Sequence, residues 1–141
     1  VSKLQKVFDE GLYDPANEPD IAYPYLFSYF KGEEWRTQKT VHELLEKYYT
    51  TRPNGLPGND DTGTMSAWAV FSMMGIYPDC PGNPSYTLTA PRFDKVELHN
   101  GTVITSTGEG YIQKITVNGK HHNGFRIMHS DLLGSTLHFI R

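Results

Sequence analysis

Asp60 and Asp61 are adjacent carboxylates in a glycine- and proline-rich run, Asn54 to Thr64, that leads straight into the apolar segment Met65–Met74. Side by side the two charges repel, while the positive end of a following helix favours ionised carboxylate. A carboxylate held ionised there can deprotonate a water as a general base, and glycine turns let a substrate come close to the backbone. The same aspartates also read as plain caps of the Met65–Met74 helix. The local pattern leaves both readings open. It does exclude an EF-hand, because neither Asn59 nor Asp60 begins a frame of spaced oxygen ligands with a glutamate at its twelfth position.

A second polar cluster, Asp14, Asn17, Glu18 and Asp20, lies in a turn containing Pro15 and Pro19 ahead of an aromatic stretch. Its carboxylate and amide oxygens suit a hard cation or sugar hydroxyls, or else form a loop with Asp20 as a helix N-cap. If the two helices run parallel, both clusters open on one face. Tyr23, Tyr25, Trp35 and Trp68 are available to stack on sugar rings or to fill a core. His121, His122, His129 and His138 carry no carboxylate partner or metal spacing and read as surface residues. Asn100-Gly101-Thr102 matches the N-glycosylation pattern but reads as a hairpin turn.

Elements must hold these groups in place. Val41, Leu44, Leu45 and Tyr48 follow the i, i+3, i+4, i+7 template, and Ala67, Val70, Phe71 and Met74 repeat it. Leu4, Val7 and Phe8 form a third helical stripe, and a fourth helix passes through Tyr25, Leu26, Tyr29 and Phe30 from an N-cap at Asp20, with Pro24 in its first turn. Four helices are therefore expected before residue 76, the Met65–Met74 helix buried on most sides and stopped by Gly75. After the proline-rich connector 76–85 the period changes to two, in runs around Val96, Val103, Ile115 and Leu137. Asn100-Gly101 and Asn118-Gly119 are expected as type I′ turns. The fold class is α+β, with residues 1–85 the helical part plus connector and 86–141 an antiparallel β region packed on it.

The 141 residues carry 13 Lys+Arg against 16 Asp+Glu, a net charge of −3, so no basic field exists to hold a nucleic-acid backbone. The single cysteine, Cys80, rules out an internal disulfide and cysteine–zinc sites. No apolar run approaches the roughly 20 residues of a membrane span, and Val1–Lys6 lack the core of a signal peptide. The chain opens inside a helical pattern without a cap and reads as a piece of a longer polypeptide.

The run from Gly55 through Asn59-Asp60-Asp61-Thr62-Gly63-Thr64 to Trp68, continued from Val70 to Tyr86, closely resembles the C-terminal part of glycoside hydrolase family 92. These enzymes are calcium-dependent, exo-acting α-mannosidases. Asn17-Glu18-Pro19, Pro24 to Phe27, Trp35 to Gln38 and Pro91 to Val96 are similar to further motifs of that family, in order. The resemblance implies the last helices of an (α/α)6 barrel followed by terminal strands, with a β-sandwich and early barrel helices in the remainder of the same enzyme. It also implies a secreted, periplasmic or cell-surface location, a mannose-containing glycan as substrate and α-1,2 linkages. By resemblance Asp61 is the general base of an inverting reaction, Asn59 occupies the place of an acidic assistant, and Asp60 is a supporting neighbour. Asn17 matches a Ca2+ ligand, and Glu18 and Trp35 match substrate-binding positions. Thr62 and Thr64 replace the Cys and Gln common beside the family's glycine. The family's general-acid glutamate belongs to a motif upstream of Asn17, and nothing like it occurs in the first 16 residues. The chain alone is thus expected to be inactive. The rival readings are a non-catalytic carbohydrate-binding or accessory module, and a structural domain whose aspartates only cap a helix.

Overall fold

The computed structural model describes every residue from Val1 to Arg141. It comprises two compact units, Val1–Val70 and Phe71–Arg141, with mixed helix and sheet, an α+β architecture.

The first unit is helical. Helix α1 is Ser2–Asp9, and its Phe8 ring packs on Tyr13 and Phe27. Next comes a 3₁₀ segment, Glu18–Tyr29. Pro19 and Pro24 each delete an N–H and disfavour α geometry in the residue before them, so an uninterrupted i→i−4 ladder cannot form. Runs of 3₁₀ this long are uncommon; burial of Pro24, Tyr25 and Phe27 holds this one. The expected N-cap at Asp20 is corrected: Asn17 precedes the segment, and Asp20 lies in its first turn, accepting the Asp14 N–H at 3.2 Å. Helix α2, Glu34–Tyr48, buries Thr37, Val41, Leu44 and Leu45 as one stripe. Helix α3, Thr64–Met74, buries Met65, Trp68, Ala69 and Ser72, half-buries Thr64, Ser66, Phe71, Met73 and Met74, and exposes Ala67 and Val70.

Gly75 ends α3 at φ +82°, and a Cβ there would stand 2.6 Å from the Thr89 carbonyl oxygen, which is why glycine is needed. In the second unit the connector is itself partly ordered into a strand: β1, Ile76–Tyr77, pairs with β2, Ser85–Leu88, which pairs with β7, Arg126–Met128. The larger sheet has the order β3 (Lys95–Glu97), β4 (Val103–Thr107), β8 (Thr136–Ile140), β5 (Lys114–Val117), β6 (Lys120–His122). Every pairing but one is antiparallel. The exception corrects the all-antiparallel expectation: β8 runs parallel to β4 because the β5–β6 hairpin, β7 and the short helix α4, His129–Leu132, lie between them in the chain. A long return of that kind is what parallel pairing requires.

Asn118 and Gly119 have φ of 50° and 77° and form the expected type I′ turn. Asn100-Gly101 does not. Only Gly101 has positive φ, its N–H donates to Leu98 O at 3.0 Å, and the connection is a three-residue loop closed by a left-handed glycine. Ile76, Leu88, Ile104, Ile115, Ile127, Leu137 and Phe139 form the core of this unit. Within it Arg126 grips the fully buried Asp79 side chain with two bonds, Nη1 to Oδ1 at 3.0 Å and Nη2 to Oδ2 at 3.1 Å, while Thr87 Oγ1 donates to Oδ1 at 2.7 Å.

Candidate active site

The two adjacent aspartates have different jobs because the backbone turns between them. Asp60 Oδ1 accepts the Ser66 N–H at 2.8 Å, which makes it the side-chain cap of α3. Asp61, Thr62 and Gly63 then have φ of 50°, 62° and 90°, a single left-handed turn. Such a conformation costs roughly 1–2 kcal/mol for each residue bearing a Cβ and is least natural for β-branched Thr62. The Asp61 side chain has a different partner from that of Asp60: its Oδ1 accepts Asn59 Nδ2 at 2.9 Å. Its backbone carbonyl is held by Thr64 Oγ1 at 2.7 Å and by the Thr64 N–H at 3.3 Å. Capping is therefore the work of Asp60, and Asp61 is oriented by a neighbouring amide.

The second polar cluster meets this loop. At Gly58 a Cβ would lie 2.7 Å from the Ala16 Cβ, so the two loops approach at a distance only glycine permits. Thr64 Oγ1 also reaches Glu18 Oε1 at 3.4 Å. The 14–18 turn is shaped from within: Asp14 Oδ1 accepts the Ala16 N–H at 2.9 Å, and Asn17 O accepts the Asp20 N–H at 2.9 Å. Asn17 and Glu18 are exposed at the head of the 3₁₀ segment. The structure thus brings Glu18 close to the Asn59–Asp61 loop at Thr64, which stood out in the sequence only as a replacement. A threonine directly after a glycine, at the first position of a helix, was the available signal, since its hydroxyl can close a local turn.

Trp35 takes no part in that assembly. It stands in the first turn of α2 with the Arg36 guanidinium 4.5 Å from its ring centroid. It lines a cleft of about 380 Å³ with Phe8, Tyr13 and Tyr48, a lining that includes none of Asn17, Glu18, Asn59, Asp60 or Asp61. Trp68 and Tyr25 are core: Trp68 Nε1 donates to Ile21 O at 2.9 Å, and its ring packs on Tyr25 and Tyr49. The histidines bond to separate partners, His129 to Tyr86 and His138 to Thr105.

Calcium takes six to eight oxygen ligands. Asn17 and Glu18 offer oxygens of the right hardness in an accessible place, but no three His, Cys, Asp or Glu side chains gather into a metal-sized group. The donor set fits a part of a calcium site and does not by itself complete one.

Residues 1–140 match the Glycosyl hydrolase family 92 catalytic domain. A protein of Arthroderma benhamiae described as an uncharacterized secreted glycosidase is 32% identical, with 97% of this chain and 19% of that protein aligned. An α-mannosidase of the family from Bacteroides thetaiotaomicron superposes with a TM-score of 0.89 at 30% identity, over 99% of this chain and 21% of that one. A structure of that enzyme in complex with mannoimidazole gives 0.82 at 32% identity, over 91% and 18%. An inverting mannosidase of the family from the same organism gives 0.78 at 30% identity, over 96% and 20%. The chain spans about a fifth of the length of these relatives. No helix is long and apolar enough to cross a membrane. With residues 1–140 matched and its fold shared, the chain belongs to glycosyl hydrolase family 92 and lies within that family's catalytic domain.

Proposed function

We propose that this chain is the C-terminal portion of an inverting, calcium-dependent exo-α-mannosidase that removes terminal α-1,2-linked mannose from glycans outside the cytoplasm. The observation that carries the reading is the division of labour in the loop: Asp60 caps α3, and Asp61 makes no such cap bond but is oriented by Asn59. In this reading Asp61 is the general base. Asn59 engages Oδ1, and Oδ2 takes the proton of a water attacking the anomeric carbon from the face opposite the leaving group. Glu18 faces the sugar beside Asp61, Trp35 offers its ring to the glycan from its separate cleft, and Asn17 lends its amide oxygen to calcium, which when bound polarises and templates the sugar hydroxyls. The last helices of an (α/α)6 barrel are the scaffold supplied here; the β-sandwich, the early barrel helices and the general acid come from the remainder of the enzyme. The acid and base of an inverting glycosidase stand roughly 6.5–9.5 Å apart, on opposite sides of the ring.

The test uses the full-length enzyme with an α-1,2-linked mannobiose, following the anomer first released by proton NMR. The expected product is β-mannose, with activity lost on chelation and in Asp61→Asn. Release of α-mannose, or an Asp61→Asn variant as active as the parent, would overturn the assignment. The isolated 141 residues are expected to release no mannose.

A further inference from the structure

Resting on the reading of Asp61 as the base, we propose that Thr64 is a positioning residue for the reaction, acting on Asp61 through its backbone and not on the sugar. The Thr64 hydroxyl touches two acceptors, Asp61 O at 2.7 Å and Glu18 Oε1 at 3.4 Å. A hydroxyl has one proton to donate. The shorter contact takes it, since 2.7 Å is the ordinary length of an O–H···O bond and 3.4 Å lies beyond the usual range.

That bond matters because of what it closes. Asp61 is held in a left-handed conformation, followed by a second non-glycine residue in the same region, and two bonds to its carbonyl from Thr64 shut the turn. Positive φ at a β-branched residue persists only where its surroundings over-determine it. Without the hydroxyl, Asp61 is freer to leave its left-handed φ of 50°, and a change of φ swings its Cβ and carboxylate out of the position set by Asn59. The replacement of the family's usual glutamine by Thr64 therefore does not leave the loop unsupported: a short side chain at the start of α3 reaches the turn directly. The 3.4 Å separation from Glu18 gives contact without a strong bond, so the sugar-facing carboxylate is the lesser beneficiary.

The proposal predicts a split between kinetic constants. In the full-length enzyme, Thr64→Val keeps the branched shape and deletes the hydroxyl; kcat is expected to fall about tenfold, the order of one hydrogen bond's worth of positioning, with KM changed less than twofold. Thr64→Ser, which keeps the hydroxyl, is expected to restore kcat to within about twofold. A thermal unfolding midpoint for each variant separates positioning from unfolding. Should Thr64→Val be too unstable to assay, Thr64→Ser is compared with Thr64→Ala by the same constants. An unchanged kcat in the hydroxyl-free variant, a raised KM with kcat intact, or failure of serine to rescue would each overturn the proposal. A parent enzyme that releases no mannose refutes the functional reading instead, and the two failures are thereby distinguishable.

Discussion

Substituting the two adjacent aspartates one at a time should separate stability from chemistry. Asp60→Ala deletes the acceptor of the Ser66 N–H, a 2.8 Å bond at the first turn of α3. Loss of a side-chain cap costs about 0.5–2 kcal/mol, and loss of a negative charge at a helix N-terminus adds about 0.3–1 kcal/mol; the two overlap, so about 1–2 kcal/mol is expected. Asp61→Asn removes no cap. The asparagine oxygen can still accept Asn59 Nδ2, and asparagine tolerates the φ of 50° found there at least as well as aspartate. Stability should stay within about 0.5 kcal/mol of the parent, a level ordinary for substitutions that break nothing. Activity should move the other way: losing a general base costs about 10²–10⁴-fold in kcat, whereas Asp60→Ala should cost less than about tenfold. Urea denaturation and mannose release, measured on both variants of the full-length enzyme, make the comparison. The reasoning fails if Asp61→Asn destabilises as much as Asp60→Ala, or if the two lose activity equally, because either result means that both carboxylates serve the helix.

Other outcomes follow from the second unit and its border. Arg126→Met leaves the Asp79 carboxylate buried with its main partner gone and should cost about 3–5 kcal/mol, seen as a lower denaturation midpoint; Asp79→Asn should cost less, because the half-buried Arg126 can turn toward water. Tyr77 is pushed up from 10.0 to about 12, first by burial and then by the charge of Asp79. The folded state therefore keeps a proton that the unfolded state loses between about pH 10 and 12, so stability is full below pH 10 and declines as pH rises through that window. After solvent screening the loss should be about 1–2 kcal/mol, and Tyr77→Phe should abolish it, as denaturation at pH 9 and at about pH 12 can show. Gly75→Ala forces a Cβ to 2.6 Å from a carbonyl oxygen in a left-handed conformation and should destabilise by more than about 2 kcal/mol in the same assay.

Much of this molecule was legible in its sequence, and for local reasons. The stripe Val41, Leu44, Leu45 specifies α2 because side chains three and four apart share a face, and Gly75 specifies the end of α3 because only glycine adopts that φ against Thr89. Asn118-Gly119 became the expected turn because two residues sufficed to close it; Asn100-Gly101 did not, since a hydrogen bond from Gly101 to Leu98 selected a three-residue loop in its place. The polar runs around Asn17-Glu18 and Asp60-Asp61 stood out through composition alone, as did the motifs that resemble family 92.

What the tertiary structure decided was every question that depends on a partner distant in sequence or on a dihedral. The local pattern of two carboxylates in a row does not say which of them caps the helix. A left-handed turn made Asp60 the cap and gave Asp61 to Asn59. Likewise the pairing of β8 with β4, the grip of Arg126 on Asp79 and the reach of Thr64 across 46 residues to Glu18 arise from packing that no local period encodes. Residue types and spacing determine which chemistry is available and which short elements form, because both are properties of neighbouring residues. Which carboxylate caps the helix and which is held by a neighbouring amide is settled only by the dihedrals that the folded loop imposes.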